Sequence, residues 1–251
     1  MFRKFIMAAV FAVFSTTSAS AFDIEDMSLA EKEAFGAEVR EYLLENPDVF
    51  LEVVALLEQR RAQEAARAEL ALVSDNADAI FNDDHSWVGG NPEGDITIVE
   101  FLDYRCSFCK RAYPAVEELI ASDGNIKFIV KEYPILGDLS VLAARYAIAT
   151  LQVEGEDAYK EVHDRMMTLR GEPSEFALAR MSEDLGYDHD EIAELMNSDE
   201  VSAIIEENYA LARNLQLQGT PAFVIGDALI NGYVDLNQLR LIVADQRRNQ
   251  G

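Results

Sequence analysis

Cysteine is nearly missing from this chain. There are two in 251 residues, Cys106 and Cys109, both within EFLDYRCSFCKRAYP. A disulfide-stapled domain of this size carries several pairs, so stapling is excluded as its main source of stability. A pair this close in sequence also closes a loop too short to remove much chain entropy. Histidine is scarce: His85, His163 and His189 lie far from the pair and from each other. A zinc centre needs four ligands, usually Cys and His, and the sequence supplies no complete local set. Positive charge is also in short supply, with 21 Lys and Arg against 46 Asp and Glu and a net charge of −25. Such a balance argues against nucleic acid and against anionic membranes as partners. It favours solubility and weakly attracts basic segments, and a solvated acidic surface accounts for most of it. No internal repeat or low-complexity segment occurs.

Long apolar runs are missing too. Phe5 to Phe14 is apolar for ten residues, whereas a bilayer span needs about 20. Arg3 and Lys4 precede this run, and Ala19-Ser20-Ala21 follows it as a small-x-small cleavage site. Residues 1–21 therefore read as a secretory signal peptide rather than a membrane anchor, and the expected location is periplasmic. No cysteine precedes Cys106, which excludes lipoprotein attachment near this signal.

What is present begins with helix. Residues 22–75 are expected to form a helical arm. Ser28 and Glu31 carry the spacing of a capping box, and the first helix should stop at Asn46-Pro47. A second helix, roughly 47–73, places Phe50, Val53, Val54 and Leu57 on one side. Its later part, EQRRAQEAARAEL, is rich in helix formers and poor in apolar residues. Two readings stay open: a solvated helix packed on the main domain, or an arm for homo-oligomerisation whose apolar stripe needs a partner.

Residues 74–94 are polar and turn-rich and read as a boundary, with Ile80-Phe81 and Trp87-Val88 as anchor points. DITIVEFLDY, 95–104, is apolar on both alternating sets, so it reads as a strand buried on both faces. A helix follows over 106–122, then a second strand in NIKFIVKEYP, 125–134, completing a βαβ unit. From 138 to about 216 only helical periodicity appears, broken near Gly155, Gly171–Pro173, Gly186 and Asn197-Ser198. TPAFVIG and DALINGY pair as a hairpin across Gly226-Asp227, and Asp235 caps a last helix over 236–249. The fold class is α/β, in the order βαβ, helical block, ββα.

Cys106 opens a helix directly after a buried strand. Free backbone N–H groups and the positive end of the helix dipole stabilise an anion there, so its thiolate is favoured. Cys109 lies one turn further on the same side, within disulfide reach. Lys110 and Arg111 add local positive charge. The spacing favours a redox pair over half a metal site, because further ligands are missing. A pair of core cysteines fits poorly with a polar helix start.

VEFLDYRCSFCKRAYP together with GTPAFVIG resembles the DsbA-like branch of the thioredoxin superfamily over about 87–250. The resemblance implies a thioredoxin fold at 76–250 with an inserted helical domain at about 138–216. It implies a thiol–disulfide oxidoreductase or isomerase with no cofactor and no metal, acting on client proteins with thiols or disulfides. A membrane redox partner would reoxidise or reduce the pair. Cys106 would be the exposed nucleophile and Cys109 the buried resolving thiol, with Pro221 a cis-proline facing them. Thr220, Pro221 and Phe108 would bind substrate, an extended client segment adding as a strand beside Thr220. Glu100 corresponds to the family's buried acid, which relays a proton for the resolving thiol, and Lys127 or Lys131 would be its partner. Ser107-Phe108 stands where strongly oxidising members carry Pro-His, and Thr220 where they carry Val. Both departures point to a less oxidising pair. The arm at 22–75 is similar to that of suppressor-of-copper-sensitivity protein C relatives, where it assembles the protein. A reading from another class is a periplasmic protein that handles a soft ion such as copper through the same two thiols.

Overall fold

A computed structural model describes residues 27–249; the signal-peptide segment 1–21 lies outside them. The chain divides into two compact units at Arg61/Ala62. In the first unit, α1 (Leu29–Glu45) opens with the expected capping box: Ser28 N–H donates to Glu31 Oε2 at 2.8 Å, and Glu31 N–H donates to Ser28 Oγ at 3.3 Å. No residue of α1 is buried. Phe35, Tyr42 and Leu44 are exposed, as are Phe50, Leu51, Val53, Leu56 and Leu57 at the start of α2 (Asp48–Asp75).

The boundary expected near residue 75 falls instead inside α2, and the far end of that helix explains why. Val73 is buried among Ile80, Val99, Phe101, Leu211 and Val224, and Leu72 packs on the same cluster. Glu69 accepts the Leu229 N–H at 3.2 Å. The stretch read as a boundary is also structured, with α3 (Ala77–Phe81) and a short strand β1 (Trp87–Gly90) at the two expected anchor points. Two of the four β1 residues are glycines, a composition that hides a strand. Gly89 is required because a Cβ there would collide with the Trp87 ring.

Beyond β1 come β2 (Ile96–Leu102), α4 (Ser107–Asp123) and β3 (Ile126–Glu132), the expected βαβ unit. Five helices follow as the inserted block: α5 (Asp138–Glu154), α6 (Glu156–Thr168), α7 (Glu175–Leu185), α8 (His189–Met196) and α9 (Asp199–Asn214). β4 (Ala222–Ile225), β5 (Ala228–Asn231) and α10 (Leu236–Asn249) complete the chain. The sheet order is β1-β3-β2-β4-β5, with β2 and β3 parallel and every other pair antiparallel.

β2 and β3 are the centre of the sheet, and period-two alternation sends their side chains to two different cores. Ile96, Ile98, Leu102, Ile126, Phe128 and Val130 face α4, α10 and the inserted block. Val99, Phe101 and Ile129 face the end of α2, α3 and Leu211 and Leu215. Covering both faces explains the near-continuous apolar reading of each strand.

Candidate active site

β2 delivers the chain to the site, and Asp103 fixes the turn that follows. Its buried carboxylate accepts the N–H groups of Arg105 (2.8 Å), Ile135 (2.8 Å) and Leu136 (3.0 Å), and the Ser140 hydroxyl at 2.9 Å. Its carbonyl accepts the Cys106 N–H at 2.9 Å. The turn before the cysteine is thereby tied to the loop after β3 and to α5.

Cys106 caps α4 in extended conformation, and Cys109 lies one turn inside the helix. Both are free thiols. The Cys106 thiol is lowered to about 5. A hydrogen bond from the Cys109 thiol is the main cause, and the Thr220 side chain and the backbone N–H groups of Cys109 and Phe108 assist, against burial. Burial pushes the Cys109 thiol far up, reinforced by its hydrogen bond to Cys106 and by the Glu100 charge. The two thiols thus differ sharply in acidity, and only the Cys106 sulfur is favoured as a thiolate at neutral pH.

One implication of the resemblance needs correction: Cys106 is not exposed. It is 7% accessible against 0% for Cys109. The reason lies across the fold, where the Thr220–Pro221 peptide is cis as implied. It brings the Thr220 carbonyl oxygen to 3.1 Å from the Cys106 Sγ, where it accepts from the thiol. Pro221 O in turn accepts the Gly232 N–H at 2.9 Å, tying this segment to the loop after β5.

Glu100 sits mid-sheet, opposite Val130 on β3 and Phe223 on β4. It is buried, and its Oε1 has no hydrogen-bond partner among the described residues. Burial raises its carboxyl to about 8, with the charges of Glu117 and Cys106 adding to the effect. Glu100 therefore holds its proton at neutral pH.

Its expected lysine partner is wrong. Lys127 and Lys131 stand opposite Thr97 and Phe101 in the register, on the sheet face away from Glu100. A strand residue one position off the pair points to the other face. Buried Lys131 pairs with Asp83 and donates to Ala79 O at 2.8 Å, bracing α3. Ser107 and Phe108 are exposed at the rim beside Cys106, Phe108 being 49% accessible.

A third buried carboxylate, like Asp103, is not signalled by the sequence. Glu132 Oε1 accepts the hydroxyls of Tyr104 and Tyr159, each at 2.7 Å, and Oε2 has no partner among the described residues. Burial raises Glu132 to about 8 and lowers His163 to about 4, so His163 stays neutral. The Tyr104 hydroxyl is also 3.2 Å from His163 Nδ1. These residues come from the turn after β2, from β3 and from α6, so no local spacing announced them. Among the described residues, no group of three or more His, Cys, Asp or Glu can hold a metal ion, and no helix is long and apolar enough to cross a membrane.

Residues 97–244 match the DSBA-like thioredoxin domain, and residues 31–64 match the copper resistance protein ScsC N-terminal domain. A thioredoxin-like oxidoreductase from Silicibacter pomeroyi is 40% identical, covering 69% of this chain and 98% of its own, with a TM-score of 0.65. The thiol-disulfide exchange protein alpha-DsbA2 from Wolbachia pipientis is 32% identical, covering 72% and 97%, with a TM-score of 0.67. ScsC from Proteus mirabilis, in a transitional conformation, is 26% identical, covering 89% and 98%, with a TM-score of 0.64. Among curated relatives, the chain spans only 24% of the length of two Na(+)/H(+) antiporters NhaA from Salinispora species, which are 29% and 27% identical over 160 residues. The chain belongs to the DSBA-like thioredoxin domain family and carries an ScsC N-terminal domain ahead of it.

Proposed function

We propose that this protein is a thiol–disulfide oxidoreductase that forms or isomerises disulfides in exported client proteins. The observation that carries the reading is the contrast between the two thiols. Cys106 ionises near 5 at a helix start, under a cis Thr220–Pro221 peptide, while Cys109 beside it is buried and protonated.

In the oxidising direction a client thiolate attacks Cys106 in the Cys106–Cys109 disulfide. The client–Cys106 bond forms, and the Cys106–Cys109 bond breaks. Cys109 leaves as a thiolate and takes the proton held by Glu100. A second client thiolate then attacks the mixed disulfide and releases Cys106 as a thiolate. The client is oxidised, the pair is reduced, and a membrane redox partner accepts the two electrons. In isomerisation the Cys106 thiolate attacks a client disulfide, and a client thiolate later displaces it, with no net redox change. A thiolate stabilised at Cys106 favours the reduced pair, which supports donating disulfides over reducing them.

The N-terminal unit supports the isomerase version. Its exposed Phe35, Tyr42, Leu44, Phe50 and Leu57 are apolar area that self-assembly would cover, and several thiol sites would then share one client. The signal-like segment at 1–21 supports a periplasmic setting. Scrambled-substrate refolding and the mass in solution test this version. A monomer that oxidises dithiols but cannot reshuffle scrambled disulfides would sink it.

A second reading, handling of a soft ion such as Cu(I) by the same thiols, is favoured by the match of 31–64 to a copper resistance protein's N-terminal domain. Full Cu(I) affinity in a Cys106→Ser variant would rule it out.

A further inference from the structure

Arg111 lies on α4, five residues after Cys106, without an acidic partner among the described residues. The chain has 46 acidic residues, yet among the described residues no carboxylate lies within ion-pair distance of Arg111. Neighbouring cations are engaged: Arg105 Nε bonds Glu172 at 2.6 Å, and Lys110 Nζ donates to Leu169 O at 2.9 Å. Arg111 is held by aromatic rings instead. Its Cζ lies 5.1 Å from the Phe108 ring centroid and 5.8 Å from that of Tyr233. Phe108 belongs to the first turn of α4, and Tyr233 follows Gly232, whose N–H is bonded to Pro221 O. The guanidinium therefore bridges the first turn of α4 and the loop after β5, which is bonded in turn to the cis-proline segment beside the Cys106 Sγ. All three side chains are exposed.

We propose that Arg111, clasped by Phe108 and Tyr233, sets client specificity by binding a side-chain carboxylate next to the reacting cysteine of a client segment. This rests on the oxidoreductase reading above. Ring contacts hold a guanidinium while leaving its planar N–H fork free, and that fork matches a carboxylate. A client strand laid beside Thr220 would run toward this fork, because Tyr233 follows Gly232, whose N–H is bonded to Pro221 O. The acidic surface as a whole repels such a client, so the preference has to come from the local contact. The long-range field fades beyond about 8 Å at physiological salt, and the contact does not.

The test uses the reduced full-length protein and two peptides, each with its cysteine as a 2-thiopyridyl disulfide and differing only in Glu or Lys beside it. Attack by the Cys106 thiolate forms the peptide–Cys106 disulfide and releases thiopyridone, whose absorbance reports the rate. The wild type is expected to favour the Glu peptide by about three- to fivefold at 0.15 M salt, the scale of an exposed ion pair. Arg111→Gln should bring the ratio to about one, Arg111→Glu should invert it, and Tyr233→Ala should lower it part of the way. Ratios within one protein cancel any general loss of activity. An unchanged ratio in Arg111→Gln overturns the proposal. If the wild type releases thiopyridone no faster than Cys106→Ser, the oxidoreductase reading itself fails, and the proposal with it.

Discussion

The Cys106 Sγ lies 3.1 Å from the Thr220 carbonyl oxygen, between residues 114 apart in the chain. That oxygen accepts from the thiol and offers nothing to the thiolate. The Thr220 side chain acts in the opposite sense and helps to hold the thiol at about 5. Alkylation of the reduced protein by iodoacetamide should therefore rise through a half-point near pH 5. Thr220→Val should move that half-point up by about one pH unit, the worth of one hydrogen bond to a charged group. The sign for stability follows from the lowered acidity. The reduced form's extra stability is complete above the free thiol's range near 9 and is lost as pH falls through about 5. An alkylation half-point near 9 would contradict the thiolate assignment.

In the proposed exchange, Glu100 protonates Cys109 as that sulfur leaves. Glu100→Gln should slow the exchange that opens the Cys106–Cys109 disulfide by about tenfold or more, and flatten its pH dependence near 8. Stopped-flow oxidation of a dithiol peptide measures this. A rate equal to the wild type across pH 6–9 would leave Glu100 only a structural part.

Lys131 should matter for stability and not for the thiols. Lys131→Met leaves Asp83 poorly paired at a largely buried position and should cost about 3 kcal/mol in urea unfolding. Adding Asp83→Leu should recover much of that loss. The alkylation half-point of Cys106 should be the same in Lys131→Met as in the wild type.

Glu132 should make the fold sensitive to alkali. Its carboxyl is raised to about 8, so the stability it contributes is complete below about 4.5 and is lost as pH rises through 8. The wild type should lose on the order of 2 kcal/mol between pH 5 and 8 from this group. Glu132→Gln should remove most of that slope while keeping the Tyr104 and Tyr159 bonds. Thermal melts at several pH values compare the two, and parallel slopes would refute this account.

The linear sequence by itself determined most of the fold and the heart of the site. Capping residues, glycine breaks and alternating apolar sets are local, and each maps onto an element: the Ser28–Glu31 box, the five inserted helices, the β4–β5 hairpin. The Cys106–Cys109 pair at a helix start is local too. Only the tertiary structure decided which groups face one another. Period-two alternation shows that Lys127 and Lys131 share a face, but not that β3 lies parallel to β2 in a register that turns them away from Glu100. Thr220 over Cys106, Arg111 between Phe108 and Tyr233, and Glu132 between Tyr104 and Tyr159 all join distant segments. Burial changes acidity there because the sheet and the inserted helices remove water from both sides of a carboxylate, and no residue's identity carries that information alone.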